Sequence, residues 1–289
     1  MDFRAIGMGL AFAVMWSSAF TSARIIVASA PPLTTLSVRF LISGLIAVFV
    51  AWMLGQSWRL TGPQWRATFI FGLCQNALYL GMNFVAMQTV AASLAAIIAS
   101  TMPLLVAFVG WVLFGERTRA LGIAGLFAGV IGVAIIMGTR LTGGADLFGV
   151  VLCVLGVFSL TIATLSVRGA SSGGNVLMIV GLQMLVGSVL LALVGLPTEA
   201  LVVDWHWMLV AAFVYTTLIP GLAATWVWFV LVGRIGAVKA ATFHFLNPFL
   251  GVAIAAVFLG EAVGGLDIIG VLIITLGILA VQLSKQTPR

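Results

Sequence analysis

Charge is the scarcest property of this chain. Of its 289 residues only 7% are Asp, Glu, Lys or Arg, while 63% are hydrophobic. A soluble domain carries about 25% charged residues, so there are too few polar groups to cover a globule in water, and the chain reads as an integral membrane protein. No Asp or Glu stands inside any long apolar run, which removes the buried carboxylate that would trade protons for a cationic drug. Cysteine is nearly absent, and Cys74 and Cys153 both lie within apolar runs, so no disulfide framework is implied. Two Cys and two His this dispersed make no clustered ligand set; no metal and no cofactor is implied. There is no H-E-x-x-H, no pair of aspartates and no second histidine near His244. An intramembrane enzyme would lack its nucleophile–base or metal constellation, so the chain is not read as an enzyme. The 13 basic residues are scattered singly, so the net charge of +6 does not point to nucleic acid.

What the chain has is apolar length. A bilayer core of about 30 Å needs about 20 apolar residues in a helix. Spans are predicted near 5–28, 33–54, 65–87, 91–114, 119–138, 147–168, 176–195, 206–232, 236–259 and 266–284. Unbroken apolar runs do not fit the alternation of a membrane barrel, so the predicted fold is all-α with ten transmembrane helices. Arg4, the first run and Ala28-Ser29-Ala30 mimic a secretory signal peptide. The run is long enough to span, and Pro31 stands where a new N-terminus would begin, so it is read as the first membrane helix. With the N-terminus inside, ten basic residues fall on or near the cytoplasmic side, and only Arg24 and Arg140 fall outside. That bias places both termini in the cytoplasm, in a multi-pass membrane protein.

One phrase occurs twice. Met102–Glu116 reads MPLLVAFVGWVLFGE and Asn247–Glu261 reads NPFLGVAIAAVFLGE. Pro103 and Pro248 stand 145 positions apart (248 − 103), as do Glu116 and Glu261. At the same offset Phe84 matches Phe229, Ala96 matches Ala241, Leu105 matches Leu250 and Gly125 matches Gly270. Each half, 1–140 and 145–289, holds five predicted spans. Five is odd, so the second half enters the membrane upside down. Inverted repeats are a transporter signature, because two such halves can open a central site to one face and then the other. Prolines inside spans remove a backbone bond, and paired breaks in the two halves point to the binding region. Pro220 in Ile219-Pro220-Gly221 reads as a third break without a mirror partner.

Trp16-Ser17-Ser18-Ala19-Phe20, Arg39-Phe40 and the doubled Pro…Gly-Glu phrase resemble the drug/metabolite transporter superfamily, in its ten-helix EamA branch. The likeness covers essentially the whole chain. Within that branch, Gln75-Asn76-Ala77-Leu78-Tyr79-Leu80-Gly81-Met82-Asn83 is similar to bacterial exporters of aromatic amino acids of the YddG type. The resemblance implies an inner-membrane exporter whose central cavity is lined by both halves.

Deep polar and aromatic side chains are the candidate lining. Asn76, Tyr79 and Asn83 follow i, i+3, i+7 and share one face of the third span. Amides in hydrocarbon need partners, either a neighbouring helix or a wet cavity. Trp16 and Ser17 in the first span are answered by Ser159 in the sixth; their hydroxyls either face solute or bond carbonyls one turn back. Ser100 and Thr101 precede Pro103, where carbonyls are freed. His244 and Asn247, spaced i, i+3, stand just before Pro248, and His244 is the one ionisable residue near the centre of a span. It is open to orienting a carboxylate or to cycling protons. Arg39 lies about seven residues into the second span and either snorkels to the outer headgroups or turns inward. The lining pool is amides, hydroxyls, aromatic rings and one imidazole. It suits a neutral or zwitterionic solute with aromatic or apolar bulk. The partners expected are that small molecule and the lipid bilayer; proton coupling, and a monomer or a homodimer, stay open. A purine, sugar or drug as cargo keeps the same fold, and a passive channel is the remaining alternative.

Overall fold

The structure, a computed structural model, describes residues 3–115, 119–142, 144–166, 174–235 and 240–286. Over these residues there is no strand, and ten helices are long and apolar enough to cross a bilayer. In chain order they are α1 (Phe3–Val27), α2 (Pro32–Met53), α3 (Gly62–Ala86), α4 (Ala92–Leu113), α5 (Ala120–Arg140), α6 (Leu147–Ser166), α7 (Val176–Thr198), α8 (Trp207–Ile235), α9 (Thr242–Leu259) and α10 (Gly265–Ser284). Helix is what an apolar run must form in lipid, because only there are its own amides and carbonyls bonded within the segment.

Two helix pairs show the inversion directly. Helices α5 and α10 pack along their lengths. A Cβ at Gly125 would stand 2.6 Å from the Gly277 carbonyl, and one at Gly132 would stand 2.8 Å from the Gly270 carbonyl. The contact climbs one helix as it descends the other, so the pair is antiparallel. The four glycines also exchange under the 145-residue offset, 125 with 270 and 132 with 277, as a two-fold axis in the membrane plane requires. Helices α2 and α7 meet in the same way. Gly44 lies against Gly181, and Ser37 and Ser188 donate their hydroxyls to each other's carbonyls at 2.8 and 2.9 Å. Lipid offers no hydrophobic drive between helices, so close backbone approach and such interhelical bonds hold the bundle.

The repeated Gly-Glu now has a physical account. Gly115 and Gly260 end their helices at φ +63° and +66°, the left-handed cap that glycine takes without a Cβ clash. Glu261 then reaches the first turn of α4 and accepts from the Ala92 and Ser93 amides at 2.7 and 3.0 Å. Glu116 lies outside the described residues. Glu199 treats α2 alike, accepting from the Leu33 and Thr34 amides at 2.7 and 2.8 Å and from the Thr34 hydroxyl at 2.7 Å. These carboxylates close amides that the helices leave open and sit at the positive end of each dipole.

Further ties lie on the same outer face. The Thr89 hydroxyl and then the Gly149 amide hold the Asp146 carboxyl below the usual carboxylate range. Arg140 pairs with Asp267 at 3.0 Å, and Ser29 meets His206 at 2.9 Å. The contacts of Glu261, Glu199, Asp146 with Thr89, Asp267 and His206 each join one half of the chain to the other.

Gly277→Val is expected to drive α5 and α10 apart and to cost about 1–3 kcal/mol, read as a lower melting temperature in detergent. Gly7→Ala, whose Cβ would meet nothing within 4 Å, is the control and should not lower it. An unchanged melting temperature for Gly277→Val would contradict the close crossing.

Candidate functional site

Four helices carry matched irregularities around the centre of the bundle. Helix α4 breaks at Thr101 and resumes with Pro103 in its first turn; α9 runs as a 3-10 segment over Thr242–Leu246 and resumes with Pro248 in its first turn. The Ser100 and Thr101 hydroxyls return to the Ala96 and Ile98 carbonyls at 2.6 Å each, which satisfies acceptors in the turn before the break. Helices α3 and α8 each contain a π-helical segment, over Gly72–Tyr79 and Thr217–Ala223. Gly72 and Thr217 again stand 145 positions apart (217 − 72). Pro220 therefore does have a mirror partner. It was hidden in the sequence because the first half widens its helix without a proline. Wide turns of this kind leave carbonyls free and recur at functional sites.

The irregular segments surround a cavity of about 720 Å³, inside the 300–1,000 Å³ range of small-molecule sites. Trp16, Ser17, Asn76, Tyr79, Ser100 and Pro103 line it, with His244 and Asn247 across from them. It extends to Gln64 near the start of α3, Thr164 near the end of α6, Val176 at the start of α7 and Gln282 near the end of α10. All four are cytoplasmic helix ends, whereas no described residue at an outer helix end joins its wall, so the cavity opens inward.

His244 stands among aromatic rings. Its ring centre lies 5.3 Å from Phe12, 6.4 Å from Trp16 and 5.2 Å from Trp228, each in edge-on geometry. The Ser17 hydroxyl donates to Asn247 Oδ1 at 3.4 Å, and Asn247 Nδ2 meets His244 Nδ1 at 2.9 Å. With the amide in this orientation its nitrogen donates to Nδ1 and the ring proton stands on Nε2. The network thus leaves one N–H donor for whatever enters the aromatic box.

Other expected residues separate. Asn76 donates to the Gln183 carbonyl of α7 at 2.9 Å, so it ties the halves together as well as lining the cavity. Asn83 donates to the Tyr79 carbonyl at 2.8 Å and lines a second, smaller cavity instead. Ser159 is a correction. It bonds the Leu155 carbonyl one turn back at 3.1 Å and lines neither cavity. A hydroxyl can serve its own helix from any face, and α6 turns Leu160 and Thr164 inward instead. Pro248 is buried at its bend without lining either cavity, while Pro220 lines the smaller one. Trp226 is 64% exposed on the lipid side, and Trp228 takes the cavity face. Sequence reasoning missed Gln183, Gln282 and Thr164; a lone amide or hydroxyl near a span end gives no periodic signal.

The smaller cavity, of about 60 Å³, lies in the outer half of the bundle. Trp16, Phe20, Gln75 and Tyr79 line both cavities and form the partition between them. Arg39 lines the smaller one and is only 6% exposed, so it turns inward rather than snorkelling.

The sequence pattern of the EamA-like transporter family matches residues 3–138 and 147–283. The chain is 28% identical to the uncharacterized transporter YvbV of Bacillus subtilis (strain 168), over 97% of this chain and 92% of that protein. It is 28% identical to the uncharacterized inner membrane transporter YedA of Escherichia coli (strain K12), over 96% and 90%. It is also 22% identical to a probable amino-acid metabolite efflux pump of Escherichia coli (strain K12), over 94% and 92%. A solved crystal structure superposes with a TM-score of 0.69 at 22% identity, covering 97% of this chain and 96% of the other, which supports the same fold. Two inverted five-helix halves, matched breaks and a shared central cavity are therefore the build of a membrane transporter, and the chain belongs to the EamA-like transporter family.

Proposed function

We propose that the protein exports neutral, zwitterionic amino acids with aromatic or bulky apolar side chains, together with related metabolites, by alternating access. One observation carries the reading: among the described residues, the wall of the inward-open cavity contains Phe12, Trp16, Trp228 and His244 but no Asp, Glu, Lys or Arg. A fixed charge of one sign would favour solutes of the opposite sign, whereas a solute with both charges and an apolar ring loses little in a neutral lining. Ring burial and edge-on contacts supply the affinity. His244 Nε2 and the Tyr79 hydroxyl, neither with a hydrogen-bond partner among the described residues, supply the orientation. The amino-acid metabolite efflux pump among the relatives supports the same cargo class. In the exchange cycle the outer ties release while the cytoplasmic ends converge, and the matched breaks in α3, α4, α8 and α9 absorb the bending.

Counterflow in proteoliposomes tests this. L-phenylalanine trapped inside is expected to accelerate entry of labelled L-phenylalanine, with saturation. Flux without exchange or saturation would identify a pore, and exchange of a nucleobase or a sugar but no amino acid would overturn the cargo. Tyr79→Ala is expected to lower exchange by roughly tenfold or more, the scale of a lost hydrogen bond plus lost ring contact, while the protein remains folded in the membrane. His244→Ala is expected to lower affinity and leave the shape of the pH–rate profile unchanged, since its Nε2 acts as a neutral donor; loss of pH dependence in that variant would assign it a proton-transfer role instead.

A further inference from the structure

Arg39 is the one cation enclosed deep among the described helices, and its own surroundings do not account for it. It lies seven residues into α2, about 10 Å from the outer end at 1.5 Å per residue. Its Nε has no hydrogen-bond partner, and the guanidinium makes no ion pair or hydrogen bond among the described residues. It stands against the Phe40 ring, whose centre is 5.1 Å away. The described carboxylates are all at the outer face, where Glu199, Glu261, Asp146 and Asp267 are engaged at helix ends. Next to Arg39, the Asn83 Oδ1 and Ser43 Oγ atoms are also buried without partners, and a Cβ on Gly221 would come within 3.4 Å of Arg39 Nη2. The glycine in the wide turn of α8 thus leaves the guanidinium its space.

A buried cation with open donors and no counter-charge is expensive to keep. The cavity it faces, about 60 Å³, is large enough for a carboxylate, given that one water needs roughly 10–15 Å³ on that measure. Gln75, Tyr79 and Thr216 complete its polar wall. From the inward-open cavity it is separated only by the partition of Trp16, Phe20, Gln75 and Tyr79. We propose that this second cavity is a carboxylate subsite on the exit path, in which Arg39 receives the carboxylate of the transported solute once the partition parts. The inference rests on the amino-acid reading for the identity of the solute, and on Arg39 alone for the anion. A planar guanidinium presents a fork of donors that matches a carboxylate. A guanidinium with no protein counter-charge gives an anionic group a reason to move outward.

The test uses the purified full chain in detergent, with melting temperature followed against sodium acetate, sodium chloride, L-phenylalanine and L-phenylalaninamide. Acetate and L-phenylalanine are expected to raise it saturably in the parent, and L-phenylalaninamide is expected to bind at least roughly tenfold more weakly, the scale of a lost charge-assisted hydrogen bond. Arg39→Met is expected to melt higher than the parent without added anion, because an unpaired buried charge has been removed, and to lose the acetate response. Arg39→Lys should retain a weaker response. Arg39→Gln serves if the methionine variant does not fold. A saturable response to acetate but not to L-phenylalanine would leave the subsite standing and sink the amino-acid cargo. A saturable response to chloride that acetate does not compete with, or an acetate response that survives Arg39→Met and Arg39→Gln, would overturn the subsite.

Discussion

Carboxylates from one half of the chain that close the helix N-termini of the other are the constraint on which the rest of this structure depends. A helix end leaves amides open, and in a protein with so few charges each Glu or Asp at such an end has an outsized effect. Glu199 closes α2, and Glu261 closes α4. An acid at a dipole's positive end contributes 0.3–1 kcal/mol when exposed and up to about 2 kcal/mol when partly buried. Two such contacts, with the Arg140–Asp267 pair and the Thr89–Asp146 bond, are of the right size to hold an outer face shut without locking it. Conformational exchange in a transporter needs a gap of only a few kcal/mol between states.

The two halves are related by sequence yet differ in state. Antiparallel glycine crossings between α5 and α10 and the serine exchange between α2 and α7 form a scaffold that the two-fold relates to itself. The remaining helices carry the breaks. Prolines in α4 and α9 and wide turns in α3 and α8 weaken the helices at the level of the cavity floor, so bending there costs less than bending elsewhere. The scaffold is continuous small-residue contact, and the moving part is interrupted backbone. Closure on the outside and access on the inside are then one of two arrangements of equivalent parts.

Much of this was legible in the sequence. Helix number followed from apolar length, because hydrocarbon thickness fixes the ruler. Inversion followed from an odd span count and the doubled proline phrase. Asn76 and Tyr79, singled out by the i, i+3, i+7 spacing, both line the large cavity, since helical periodicity transmits facing directly. The spacing was less informative for Asn83, which keeps the Tyr79 side of the helix but lies one turn nearer the outside and so lines the smaller cavity; periodicity gives a face, not where along it a cavity ends. Ser159 failed for a different reason: a serine carries its own acceptor one turn away, so its presence in a span says little about solvent. The Arg39 environment was invisible, because what surrounds a single charge is set by contacts between α2, α3 and α8 that no local pattern encodes.

The central claim is that outer carboxylate contacts hold the transport path closed to the outside. On a background with Cys74 and Cys153 replaced by alanine, Gln75→Cys places a single thiol on the partition shared by both cavities. With Glu199 and Glu261 intact, a membrane-impermeant maleimide is predicted to reach that thiol from the cytoplasmic side only; with Glu199→Gln and Glu261→Gln together, labelling from the outside is predicted to appear. Outside labelling while both carboxylates are present, or sidedness that does not change when both are removed, would contradict the account.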